Sequence, residues 1–193
     1  PRVLVDNVAG GHLATAHLLD LGHRQVAFLG DITYKGMGFR SIPRRLAGYR
    51  RALAGAGITF RPDLVRRSRH SVDAAAEVAT QLLGGRDPPT AVFAATDTLA
   101  MGVLAAAEAL GLLVPRDLSV VGFDDIDVAA MVKLSTVRQP LQRSGEEGAR
   151  KLCSVLRDLP VRAMRTVLPL ELVVRSSTAP PLVTAMAGLR EVG

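Results

Sequence analysis

The residues best placed to do chemistry lie at the ends of two apolar runs. The first run, Leu118, Ser119, Val120, Val121, Gly122 and Phe123, breaks into acid at Asp124, Asp125 and Asp127. The second, Ala91, Val92, Phe93 and Ala94, ends in Ala95, Thr96 and Asp97. Short β-branched and apolar runs bounded by turn residues read as fully buried strands of a parallel sheet. Ligands of open α/β sheets sit beyond the carboxyl ends of such strands, so these acids are expected at the mouth of a cleft. A carboxylate such as Asp124 accepts hydrogen bonds from vicinal hydroxyls, and a guanidinium such as Arg45 or Arg40 donates a planar pair of bonds. Thr96 and Ser41 can do either. The combination suits a small polar ligand, a sugar or a nucleobase. Competing explanations are ordinary: Asp97 and Asp125 could cap helices or turns, and Arg45 could be a surface arginine.

No reactive constellation accompanies them. No GxGxxG follows a strand, since Gly36, Met37 and Gly38 lack the third glycine, and GxxxxGK[ST] and HExxH are absent. His12 and His17 are too far out of phase on one helix to share a metal, and Ser119 lies inside a strand rather than on a nucleophile elbow. Asp124 and Asp125 are adjacent, so their side chains diverge and form no paired-carboxylate site. The reading is a binding protein, with no catalytic residues, metal or cofactor.

The elements that must position these groups follow a repeated β-α rhythm. Strands are expected at Val3, Leu4 and Val5, at residues 26–30, weakly at Leu64 and Val65, at residues 91–94 and at residues 118–123. Helices are expected from Gly10 and Gly11 to Leu21, after Pro43 to near Gly57, over residues 74–83 with Ser71 or Asp73 as cap, and from Asp97 to Gly111. That alternation gives a doubly wound parallel α/β fold with right-handed crossovers. After Asp127 the rhythm changes to a short strand over residues 135–138, a helix over residues 141–156 after Pro140, and an extended edge segment interrupted by Pro169. Gly145 and Gly148 suggest close packing of that helix, and the tail from Ala179 is expected to be poorly ordered.

Composition sets the outer limits. The chain has 193 residues, 48% of them hydrophobic, and a net charge of +6 carried almost wholly by arginine; Lys35, Lys133 and Lys151 are the only lysines. No apolar run reaches the roughly 18 residues that span a bilayer. The arginines are scattered, as on solvated helix faces, with no aromatic nucleic-acid signature. The single cysteine, Cys153, excludes an internal disulfide and reads as a buried, inert thiol. The chain begins directly in a strand without methionine, which suggests a piece of a longer polypeptide.

Several blocks in order carry a resemblance: Val5-Asp6-Asn7, Gly10-Gly11, His17-Leu18 and Leu21-Gly22-His23-Arg24; Arg45-Leu46-Ala47-Gly48-Tyr49; residues 89–97 with Ala100-Met101-Gly102; residues 111–125; Ser135-Thr136-Val137-Arg138-Gln139-Pro140; and residues 172–178. From about Val3 to Thr178 the sequence resembles the effector-binding core of lactose-repressor-type (LacI/GalR) transcriptional regulators. The resemblance implies a periplasmic-binding-protein-like type I fold, two lobes joined by three crossovers, with effector between the lobes and hinge movement altering DNA affinity in an attached helix-turn-helix headpiece. It implies effector-binding roles for Arg45 and Asp124 and a polar contact near Thr96 and Asp97. Phe39, Ser41 and His70 would face the same cleft, and Asp6 and Asn7 would lie at the lobe junction. It further implies a cytoplasmic homodimer with a sugar-like effector and no membrane partner.

Against that pattern, the headpiece and the first half of the N-terminal lobe are missing. One lobe is expected nearly complete (residues 24–127 and 165–178), the other partial (1–21 and 141–156), with a tail at 179–193, and operator DNA would be bound only through the missing headpiece. The segment Met131-Val132-Lys133-Leu134 is shorter than usual, and Ala9 replaces a polar contact of some sugar-responsive members. The same fold also serves periplasmic sugar-binding proteins of transporters, which stands as the alternative.

Overall fold

The structure is a computed structural model and describes residues 1–32, 40–161 and 163–182. Its body is a six-stranded sheet made from β2 (Val26–Asp31), β3 (Val65–Ser68), β4 (Ala91–Ala94), β5 (Ser119–Asp124), β6 (Ser135–Arg138) and β8 (Glu171–Val173), in the order β3-β2-β4-β5-β6-β8. Pairing is parallel except where β8 runs antiparallel to β6 at the edge. Strands β4 and β5 are buried on both faces, as their continuous apolar runs require.

Helices α1 (Asn7–Asp20), α2 (Ser41–Gly55), α3 (Val72–Leu83) and α4 (Asp97–Ala109) cover the sheet. Helix α1 starts at Asn7, earlier than its glycines suggest, because the Asp6 carboxylate caps it by accepting from the Val8 and Ala9 amides, each at 3.0 Å. Ser71 caps α3 and Thr96 caps α4 in the same way. The α1–α2 contact is backbone-close: a Cβ on Gly11 would lie 2.2 Å from the Arg45 carbonyl oxygen, so only glycine lets the helices meet there. That closeness brings Asn7 beside Arg45.

The core centres on Phe28, Phe93 and Tyr49. Phe28 meets Phe93 edge-on at 5.4 Å and Tyr49 at 5.6 Å between ring centroids. The Tyr49 hydroxyl donates to the Val26 carbonyl at 2.8 Å, so the ring is buried without an orphaned polar group.

A second, small unit consists of β1 (Arg2–Val5) paired in parallel with β7 (Arg165–Leu168), together with α6 (Leu141–Leu156), which packs on β1. A short helix, α5 (Asp127–Met131), follows β5. These placements correct the expected division. Helix α1 packs on α2 and the six-stranded sheet rather than with residues 1–5, and β7 joins β1 rather than the large sheet. The chain therefore passes between the two units after Val5, after Arg138 and around Pro169.

Three smaller expectations also fail. Cys153 is exposed, because α6 turns its Leu152, Val155 and Leu156 to solvent as well. A Cβ on Gly145 or Gly148 would meet nothing within 4 Å, so neither serves close packing. The start of the tail is tied down: the Ala179 carbonyl accepts from His23 Nε2 at 2.9 Å and its amide donates to Ser119 Oγ at 3.0 Å.

Candidate functional site

The parallel strands deliver their carboxyl ends to one edge, and the polar groups gather there. Asp124 ends β5 and Arg45 sits one turn into α2. They face each other, with Arg45 Nη2 3.4 Å from Asp124 Oδ1. Arg45 is no surface residue. It is 4% exposed, its guanidinium lies over the Phe123 ring at 3.5 Å, its Nε donates to Asn7 Oδ1 at 2.9 Å and its Nη1 donates to the Ala95 carbonyl. One face of the guanidinium and each of its three nitrogens thus has a partner, which fixes its plane.

Burial is the main influence on the pair. It lowers the Arg45 pKa, and the charge of Asp124 opposes that drop. It raises the Asp124 carboxyl above the usual range, opposed by Arg45 and by the hydrogen bond from Gln139. Gln139 Nε2 donates to Asp124 Oδ1 at 2.5 Å. The Asp124 side chain remains 21% exposed, and it opens on a cavity of about 750 Å³ lined also by Arg138, Gln139 and, across the gap, Arg143, Glu146 and Arg150 of α6. That volume lies within the usual range of small-molecule sites.

Asp124 and Asp125 have φ of 119° and 57°, backbone that a residue with a side chain adopts at a cost. The consequence is divergence. Asp124 turns to Arg45, whereas Asp125 turns back to accept from Arg138 Nε at 2.6 Å and to pair with Arg175 Nη2 at 2.8 Å. Burial pushes the Asp125 carboxyl upward, but the two arginine hydrogen bonds outweigh it and hold the group below its ordinary value.

Asp97 is fully buried and acts as a brace, not as an open ligand. Its Oδ2 accepts from the Ile126 amide at 2.9 Å and its Oδ1 from the Thr136 hydroxyl at 2.6 Å, so it ties the loop after β5 to β6. Burial raises its pKa against those bonds. Gly122 makes this brace fit, since a Cβ there would lie 2.2 Å from Asp97 Oδ1. Thr96 is 7% exposed, and its hydroxyl oxygen accepts from the Leu99 amide at 3.3 Å.

The remaining expected residues lie around the same edge. Ser41 opens α2 one turn before Arg45 and is partly buried. His70 follows β3, is largely exposed, and its Nδ1 lies 2.9 Å from Asp31 Oδ2 at the end of β2. Phe39 lies outside the described residues. The structure thus brings together Asn7, Arg45 and Asp124, with Asp97 held by Ile126 and Thr136 and the Thr96 hydroxyl oxygen accepting from Leu99. Sequence reasoning assigned no role to Gln139, Asp31, Arg138 or Arg175. Gln139 carried one signal, its place between a strand and Pro140; the ion-pair partners of Asp125 had none, because nothing in the sequence showed that this acid turns back toward β6 and β8. Among the described residues no group of three or more His, Cys, Asp or Glu could hold a metal ion, and no helix is long and apolar enough to cross a membrane.

A two-unit α/β molecule with a polar site at the sheet's carboxyl edge is the arrangement of a ligand-binding core. Comparison with known proteins agrees: a periplasmic binding protein-like domain matches residues 15–178. The chain belongs to that family, in the form found as the core of LacI-type regulators.

It is 39% identical to the HTH-type transcriptional regulator DegA of Bacillus subtilis over 92% of this chain and 52% of the relative. It is 33% identical to the HTH-type transcriptional repressor CytR of Escherichia coli over the same shares. Among solved structures it superposes on the regulator CelR in complex with cellobiose with a TM-score of 0.82 and 34% identity, covering 91% of this chain and 53% of that one. A LacI family regulator of Mycobacterium smegmatis gives a TM-score of 0.80 and 39% identity over 93% and 66%. The chain spans about half the length of the curated relatives it matches. These relatives are transcriptional regulators, so the transporter alternative is not sustained.

Proposed function

We propose that this chain is the effector-binding and dimerisation region of a transcriptional regulator, sensing a sugar or a similar small polar metabolite without transforming it. The observation that carries the reading is the buried, fully oriented Arg45 set against a carboxylate that still faces open space. A ligand hydroxyl reaching Asp124 would find an acceptor already placed and a cation behind it, both held in orientation before binding. Relatives with bound sugars support the ligand class: one solved regulator holds cellobiose, and another, from Enterococcus faecium, holds ribose at 30% identity and a TM-score of 0.80. In the whole regulator, effector binding one arrangement of the two units better than the other would drive the change in DNA affinity. Operator binding, a homodimeric state, a cytoplasmic location and the absence of enzyme activity belong to this reading. So do a small unit of β1, β7 and α6, effector contacts from Ser41, His70 and Asn7, and a contact from Phe39.

The test is a thermal-shift screen of neutral mono- and disaccharides followed by calorimetry. A sugar that stabilises the wild-type chain should lose at least tenfold in affinity with Asp124→Ala and with Arg45→Ala. Equal affinity in both variants refutes the site, and turnover of a bound sugar refutes the reading as a sensor.

A further inference from the structure

Two of the three passages between the small unit and the large sheet run through the ion pair. The passage from β1 to α1 supplies Asn7, whose Oδ1 holds Arg45 Nε at 2.9 Å. The passage from β6 to α6 supplies Gln139, whose Nε2 holds Asp124 Oδ1 at 2.5 Å and whose amide donates to the Asp124 carbonyl at 3.3 Å. Each half of the pair is therefore fastened to a different crossover. Asn7 and Gln139 also share a smaller cavity of about 240 Å³ with Val5, Arg44, Pro140 and Ser144, so room exists beside both side chains.

Gln139 stands directly before Pro140, which precedes α6. Proline fixes its own φ and restricts the residue before it to extended backbone. A change at Gln139 is thus passed to the start of α6 rather than absorbed locally. The carboxylate it binds belongs to a residue in left-handed backbone, with φ of 119°, a conformation that persists only while its surroundings enforce it.

We propose that Gln139 is the positioning residue that couples occupancy of the site to the placement of α6. Its side-chain amide fills the donor position at Asp124 Oδ1 that a ligand hydroxyl would claim. A ligand taking that position releases Gln139, and the crossover with its helix then shifts against the sheet. This rests on the proposed ligand site at Asp124 and Arg45, and it assigns that site its mechanical output.

The single native cysteine makes the test direct. Cys153 is exposed on α6, and Glu77 is exposed on α3 of the large unit, so a Glu77→Cys chain takes two spin labels across the two units. The expected result is a shift or broadening of the α6–α3 distance distribution in Gln139→Ala and the same change in Asp124→Ala, with no further change in the double variant. Gln139→Glu, which sets carboxylate against carboxylate, should displace α6 at neutral pH and recover on acidification. Tyr49→Phe, destabilising but remote from the crossover, should leave the distance unaltered. An unaltered distance in both Gln139 variants overturns the coupling. Cellobiose and D-ribose serve as probes in a second arm. A probe that binds should move the wild-type distance and leave Gln139→Ala unmoved; binding that moves both equally overturns the coupling. Failure of every sugar in the screen to bind counts against the proposed function alone, since the variant distances decide the coupling without ligand.

Discussion

Gly122→Ala isolates the packing on which the site rests. The added methyl would lie 2.2 Å from Asp97 Oδ1, and 2.9 Å from Leu134 Cδ2, where 3.4 Å or more is ordinary contact. Asp97 cannot yield freely, because the Thr136 hydroxyl at 2.6 Å and the Ile126 amide at 2.9 Å hold its two oxygens in a fully buried place. Overpacking a core costs about 1–3 kcal/mol, and losing one hydrogen bond to a charged group costs about 1.5–3 kcal/mol more. The sum, about 2.5–6 kcal/mol, corresponds in a chain of this size to a fall in Tm of roughly 5–24 °C. Chemical and thermal denaturation of the purified chain provide the assay. A second variant makes the reasoning specific. Asp97→Ala costs about 2–6 kcal/mol by stranding two donors, but it also clears the space. Gly122→Ala with Asp97→Ala should therefore cost clearly less than the two single changes summed. A loss below about 1 kcal/mol in Gly122→Ala, or strict additivity in the pair, would refute the claim that the glycine exists to admit the carboxylate.

Three further outcomes follow from the same geometry. Arg45→Lys keeps the charge but cannot serve Asn7, the Ala95 carbonyl and Asp124 together, so it should lose about 1.5–3 kcal/mol of stability in denaturant melts. Tyr49→Phe, which removes a buried hydroxyl from the Val26 carbonyl, should cost about 1 kcal/mol by the same measurement. Burial lowers the His23 pKa, against the pull of the Ala179 carbonyl on its ring. Its folded value thus lies below the unfolded 6.5, so its contribution to stability is complete above pH 6.5 and is lost as pH falls through the folded value. Melting temperature followed against pH should decline on that acid side, and His23→Gln should flatten the decline.

Much of the large sheet was legible because its strands announce themselves. Residues 91–94 and 118–123 are unbroken apolar runs closed by polar turns, and a strand buried on both faces has little other choice of sequence. The five long helices were legible to within a turn, whereas the short helix α5 (Asp127–Met131) was not anticipated. The error at α1 is instructive: Asp6, directly after the expected strand, is the N-cap, and it pulls the helix start ahead of the glycines. The small unit was harder. Strand β7 reads from sequence like an extension of the edge segment containing β8, yet it pairs with β1, more than 150 residues away in the chain. No local propensity encodes a partner at that separation.

Within the site, residue type fixed chemistry but not availability. Thr96, Asp97 and Asp124 look equivalent in sequence, each polar and each at the end of a buried strand. The structure separates them by what their neighbours demand. Thr96 accepts from the Leu99 amide at the start of α4, and Asp97 meets the Ile126 amide and the Thr136 hydroxyl, so each is tied into the fold. Asp124 escapes because two successive residues turn left-handed and send Asp125, not Asp124, to the arginines of β6 and of the segment after β8. Had the chain stayed extended through Asp125, the two acids would still point to opposite sides, but neither side would be chosen by anything but the strand's pleat. The pairing of Asp125 with Arg138 and Arg175 makes the choice, and it leaves Asp124 facing Arg45 and open space. The ligand-facing carboxylate is thus defined by the neighbour that does not face the ligand.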